Sequence, residues 1–65
     1  MKLTKAEREF LIETADGGST AHMDFRPGRR LLALGLIEVT FERLGARAYG
    51  VTEAGRRALE GERDG

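Results

Sequence analysis

Two stretches of sequence decide the fold of this 65-residue chain: LGLIE at residues 34–38 and YGVTEAGRRAL at residues 49–59. The Gly of the first stretch is typical of a helix C-terminus, and an apolar strand follows it at once. In the second stretch a strand ends at Thr52, a residue type that caps helix N-termini. The sequence therefore predicts a β-hairpin between two helices.

Length and composition limit the class of protein. The chain is long enough for one domain, spanning residues 1–65, with one modest core. Hydrophobic residues make up 40% and charged residues 34%, which is typical of a globular chain, and the absence of cysteine excludes disulfides and thiolate zinc sites. We find neither a signal-peptide core nor a run of roughly 18–20 apolar residues. A cytoplasmic protein with no membrane partner is expected.

The net charge is zero, but the charges are unevenly distributed. Residues 1–25 carry three Lys or Arg against five acidic residues, and residues 58–65 carry one Arg against three, so each segment has a net charge of −2. Residues 26–57 carry seven Arg against three Glu, a net charge of +4. The planar guanidinium group suits phosphate and guanine. The alternative is that these arginines pair with nearby glutamates on a solvated surface.

The first helix has a clear start. Thr4 and Glu7 have the spacing of a capping box, and we expect a helix over residues 4–15 that ends at the glycines following Asp16. The glutamates of this helix, Glu7 included, alternate with Lys and Arg, as on an ordinary solvated face. Residues 19–24 are ambiguous, because they fit either one helical turn capped by Ser19 or an extended linker.

The second helix is predicted over residues 26–34, with Pro27 in its first turn and Gly35 in the left-handed position after its end. Its apolar side carries Leu31 and Leu34. The opposite side has cationic residues spaced i, i+3 and i+4, which we call the arginine stripe: Arg26, Arg29 and Arg30.

From residue 36 the hydrophobic period changes to two, which predicts strands over residues 36–43 and 47–52 around a tight turn at 44–46. A last helix follows over residues 53–61, and residues 61–65 are expected to fray. The predicted core is made of apolar residues from all five elements: Leu3, Phe10, Leu11, Leu31, Leu34, Ile37, Val39, Tyr49, Val51, Ala54 and Leu59. Val39 and Phe41 are expected on the same face as Ile37.

These features resemble winged helix-turn-helix domains of the MarR and PadR style. The similar stretches are Leu3-Thr4, LGLI at residues 34–37 and YGVTEAGR at residues 49–56, the last being the most specific. The resemblance implies a small α+β winged helix with three helices and a two-stranded antiparallel wing. Domains of this kind bind duplex DNA, often as dimers, with the recognition helix in the major groove and the wing near the minor groove or the backbone.

Carried over by position, the resemblance implies DNA contacts from the arginine stripe and from Arg43 and Arg47, which flank the wing turn. The expected function is that of a small DNA-binding transcriptional regulator. An origin in a phage or a mobile element and assembly as a homodimer are both compatible with this expectation. Residues 16–25 leave room for one helical turn where such regulators have a full helix, and the long dimerisation helices are missing. A winged-helix protein-protein interaction module that modulates a partner complex is therefore the alternative.

Groups for catalysis are not found in the sequence. His22 is the sole histidine, no Ser/His/Asp or Cys/His set exists, and no Gly-rich phosphate loop or metal-ligand cluster is recognised. A structural histidine is the expected role of His22. We expect no enzyme activity, no catalytic residue, no metal and no cofactor.

Overall fold

The computed structural model describes the backbone of residues 2–64 and the side chains of residues 2–61. Its elements are, in chain order, α1 (Lys5–Ala15), β1 (Ser19–His22), α2 (Arg26–Ala33), β2 (Ile37–Arg43), β3 (Ala46–Val51) and α3 (Glu53–Asp64). The α+β class with three helices is confirmed. The predicted two-stranded sheet is wrong, because the strands form a three-stranded antiparallel sheet in the order β1-β3-β2.

Strand β1 resolves the ambiguity of residues 19–24. Ser19 pairs with Tyr49 and His22 pairs with Ala46, so residues 19–22 are extended and not a helical turn, and Met23 and Asp24 form a turn after the strand. Two glycines with positive φ, Gly17 at 124° and Gly18 at 98°, separate α1 from the strand. β1 supplies hydrogen-bonding partners to the side of β3 that a two-stranded hairpin would leave open.

The start of α1 confirms the predicted capping box. The Glu7 N–H donates to Thr4 Oγ1 at 3.2 Å, and the Thr4 N–H donates to Glu7 Oε1 at 2.9 Å. The helix ends at Ala15, as expected.

The core lies between the helices and one face of the sheet. Seven buried apolar residues form it: Leu3, Phe10, Leu11, Leu31, Leu36, Ile37 and Tyr49. The sequence-based core was wrong at Leu34, Val39 and Ala54, which are exposed, and it missed Leu36. The backbone at the end of α2 explains the exchange of Leu34 for Leu36.

The corner between α2 and β2 is a Schellman motif. The Gly35 N–H donates to the Leu32 carbonyl oxygen and the Leu36 N–H donates to the Leu31 carbonyl oxygen, each at 3.0 Å. Gly35 has φ of 76°, which confirms its predicted left-handed conformation. The motif brings Leu36 into the core with Leu31 and leaves Leu34 at the surface.

Helix α3 begins on this corner. Thr52 Oγ1 accepts the Gly55 N–H at 3.1 Å, which confirms the predicted N-cap, and donates to the Gly35 carbonyl oxygen at 2.7 Å. The Thr52 N–H donates to the Leu36 carbonyl oxygen at 3.1 Å. The helix continues to Asp64, beyond the expected end at residue 61, and Gly65 of the predicted frayed tail lies outside the described residues.

The β2–β3 hairpin contains a bulge that the sequence did not predict. Val39 pairs with Tyr49, but Phe41 pairs with Ala48, so Thr40 is an extra residue in β2. Because Tyr49 and Ala48 point to opposite faces, Phe41 leaves the face of Val39 and is 63% exposed. The prediction that Val39 and Phe41 share a face is therefore wrong.

The hairpin turn consists of Leu44 and Gly45, which both have positive φ, at 51° and 84°. Two-residue hairpin turns of type I′ need positive φ at both central residues, and Asn-Gly is their preferred sequence. A left-handed conformation costs an ordinary L-residue roughly 1–2 kcal/mol. Leu44 therefore adopts this turn at a cost in stability.

Two glycines of α3 should respond to alanine in opposite directions. A Cβ at Gly55 would overlap the Leu36 carbonyl oxygen and lie 2.8 Å from Val51 Cγ2, whereas a Cβ at Gly61 would have no neighbour within 4 Å. Gly55→Ala should therefore lower the free energy of unfolding by about 1–3 kcal/mol. Gly61→Ala should raise it by up to about 1 kcal/mol, because Ala favours helix more than Gly does. Urea unfolding of both variants checks this; equal effects would contradict the close packing at Gly55.

Thr52 should stabilise the chain through its hydroxyl group. Thr52→Ala removes both the cap and the bond to Gly35, and should lower the free energy of unfolding by about 0.5–2 kcal/mol. Thr52→Ser keeps both bonds and should remain near the wild type. Thermal unfolding followed by circular dichroism compares the variants. If Ser destabilises as much as Ala, the methyl group and not the hydroxyl group is responsible.

Candidate nucleic-acid interface

The hairpin turn is hydrogen-bonded to the segment that leads into α2. The Met23 N–H donates to the Gly45 carbonyl oxygen at 2.7 Å, and the Phe25 N–H donates to the His22 carbonyl oxygen at 2.9 Å. Arg26 follows Met23 by three residues, so their Cα atoms lie at most about 10 Å apart. The first residues of α2 and the hairpin turn therefore lie at the same end of the molecule.

Arg26 and Arg29 are exposed at this end. Among the side chains of residues 2–61, neither guanidinium forms an ion pair. The first turn of α2 contains no acidic residue, and Phe25 at the N-cap makes no side-chain capping bond. Three residues of helix separate the two arginines by about 4.5 Å along the axis. Their positive charges add to the positive end of the helix dipole.

Arg30, the third residue of the arginine stripe, is already paired. Its Nε lies 3.1 Å from Glu7 Oε2, and the side-chain exposures are 54% for Arg30 and 9% for Glu7. The expectation that Glu7 lies on a solvated face is wrong, because Glu7 is buried. The capping box fixes Glu7 at the start of α1, and α2 packs against that position. Among the arginines of the stripe, Arg30 is thus the one whose charge is already balanced by a carboxylate within the chain.

Arg43 and Arg47 flank the turn in sequence but lie on opposite faces of the sheet. Arg43 pairs with Ala46 and Arg47 pairs with Glu42, and neighbouring pairs alternate in direction. Arg43 is exposed at the end of β2. Arg47 faces the side of the helices, where its Nε donates to Glu42 Oε1 at 3.3 Å. The predicted pair of wing arginines is therefore divided, and Arg43 is the more accessible member.

Arg47 belongs to a small polar group at the edge of the core. The Tyr49 hydroxyl, followed by the Glu42 carboxylate, raises the pKa of Arg47. Tyr49 Oη is buried and has no well-aligned hydrogen-bond partner within residues 2–61. Arg47 is thus held by its neighbours within the chain.

His22 and Asp24 lie beside the hairpin turn. The Asp24 N–H donates to His22 Nδ1 at 3.1 Å, and the Asp24 carboxylate lies 3.6 Å from the same nitrogen. The His22 ring borders Gly45. The Asp24 side chain is 77% exposed and places one negative charge near Arg26.

Within the described side chains, no group of three or more His, Asp or Glu residues is placed to hold a metal ion. None of the helices in residues 2–64 has both the length and the apolar composition needed to cross a membrane. No protein-family model matches the chain, and searches of curated proteins and of solved structures found no match.

Proposed function

We propose that this chain is a small winged-helix DNA-binding protein that holds the duplex with Arg26, Arg29 and Arg43. The observation that carries the proposal is the Met23–Gly45 hydrogen bond, because it brings unpaired arginines of α2 and the arginine beside the hairpin turn to one end. A helix followed directly by a hairpin, as in the resemblance to MarR- and PadR-style regulators, supports the same use.

The two arginines of α2 have a spacing that fits a groove. They project from one side of a helix, and the major groove is about 12 Å wide and admits an α-helix. Guanidinium groups bind guanine edges and phosphate oxygens through paired N–H donors. Arg43 would reach the adjacent backbone from the hairpin. Regulation of transcription is the role that such binding would serve.

Arg30 and Arg47 have a smaller part in this proposal than in the sequence-based expectation. Each must leave a carboxylate, Glu7 or Glu42, before it can hold a phosphate. Three arginines therefore remain as the primary contacts. Because each neutralised phosphate contributes about −0.9 to the salt slope, the slope of log K against log [salt] should be about −3.

Fluorescence anisotropy with a labelled 24-base-pair duplex, titrated from about 50 mM salt upward, tests the proposal. The wild type should bind with a slope of about −3, and the double variant Arg26→Ala/Arg29→Ala should fall to a slope of about −1. Asp24→Asn should strengthen binding, since it removes a negative charge beside Arg26. Comparing several duplex sequences separates base contacts from phosphate contacts. Loss of an arginine that reads a base should weaken binding by about 1–3 kcal/mol at the preferred sequence, whereas loss of a phosphate contact should weaken binding to all sequences alike.

The control is Arg56→Ala/Arg57→Ala, which removes the same charge from α3. α3 follows the end of β3 remote from the hairpin turn, so this variant should keep the wild-type slope. Equal losses in both double variants would mean that net charge alone causes binding. Absence of wild-type binding near 50 mM salt would contradict the proposal and favour the protein-interaction module.

A further inference from the structure

Leu44 is the most exposed large apolar residue of the described chain, at 94% of its possible exposure. It occupies the first position of the hairpin turn, with φ of 51°. Packing does not account for a leucine here, because the side chain is almost wholly in solvent. Turn geometry does not account for it either, since Asn is the preferred residue before Gly in such a turn.

The surroundings of Leu44 are mainly cationic, with Asp24 as an acidic side chain beside the turn. Arg43 precedes it, and the Met23–Gly45 hydrogen bond brings Arg26 and Arg29 to the same end. A leucine among unpaired arginines is poorly suited to a dry, apolar protein pocket, because the arginines would lose water without gaining carboxylates. Phosphates on both sides of a groove would satisfy these arginines while the leucine enters between them.

We propose that Leu44 is an apolar wedge that inserts at a base step from the minor groove, an inference that rests on the DNA binding proposed above. Leu is among the residues that architectural proteins insert between bases, which unstacks the step and kinks the duplex. The minor groove is about 6 Å wide. The axes of paired strands alone lie about 4.8 Å apart, so with the atoms on their outer sides the ribbon is too wide to enter deeply. Only the side chain at the tip enters.

The proposal also explains the cost of the turn. A leucine held in the left-handed conformation lowers the free energy of unfolding, and its side chain, almost wholly in solvent, does not offset this by packing. Inserted at a base step, the same side chain leaves water and contacts the faces of the separated bases. The turn then serves binding and not the stability of the free protein.

The test is relaxation of a closed circular plasmid by topoisomerase I in the presence of the full chain. A wedge that unstacks a base step unwinds the duplex, and the enzyme then fixes a lower linking number that persists after the protein is removed. This readout needs no knowledge of the preferred DNA sequence. Anisotropy with the 24-base-pair duplex in the same buffer measures binding separately.

Leu44→Asn keeps the turn and removes the apolar side chain, whereas Leu44→Met keeps an apolar side chain. The wild type and Leu44→Met should lower the linking number. Leu44→Asn should lose this shift at equal occupancy, with an affinity at most about tenfold weaker because the arginines still hold the backbone, and its melting temperature should rise.

Two results overturn the wedge and leave the proposed function standing: an unchanged shift with Leu44→Asn, or wild-type binding without a shift. Absence of wild-type binding to the duplex overturns the wedge and the proposed function together.

Discussion

The close approach of α3 to the corner between α2 and β2 is the constraint on which the rest of the structure depends. Leu36 is the meeting point, since its N–H closes the Schellman motif and its carbonyl oxygen accepts the Thr52 N–H. Thr52 connects the other side of the corner through Gly35. The lack of a side chain at Gly55 lets the helix backbone lie against that carbonyl. These contacts set the direction of α2, β2 and α3 together.

The opposite end of the sheet lies beside the first residues of α2. There β1 pairs with β3, and the Met23–Gly45 hydrogen bond connects the start of α2 to the hairpin turn. The corner joins the helices and the sheet at one end, and the other end presents arginines that form no ion pair among the side chains of residues 2–61. This division between a packed end and a charged end is the physical basis of the proposed function.

The elements predicted correctly from sequence are those with strong local signals. The Thr4–Glu7 capping box, the left-handed Gly35 and the Thr52 cap each depend on residues within a few positions of one another. The sequence could not reveal β1, because residues 19–22 are short, mostly small or polar, and gain their partners from β3 far along the chain. The bulge at Thr40 is equally hidden, since the alternating pattern continues through it in sequence.

The residue types of the candidate site could be predicted from the sequence, but the ion pairs and strand register of those residues could not. The arginine stripe follows from helical spacing. Its partial neutralisation by Glu7 depends on the packing of α2 against α1, and the separation of Arg43 from Arg47 depends on the strand register. Helical spacing and the resemblance therefore named five arginines, and the tertiary structure leaves three of them without an ion pair among the side chains of residues 2–61.

The central claim is that the start of α2 and the hairpin turn form one DNA-binding face. Amide chemical shifts of ¹⁵N-labelled protein, measured during titration with unlabelled duplex, test it residue by residue. The perturbed amides should lie in residues 23–30 and 43–46, while residues 53–61 of α3 should keep their shifts. Perturbations centred on α3, or none at saturating duplex, would contradict it.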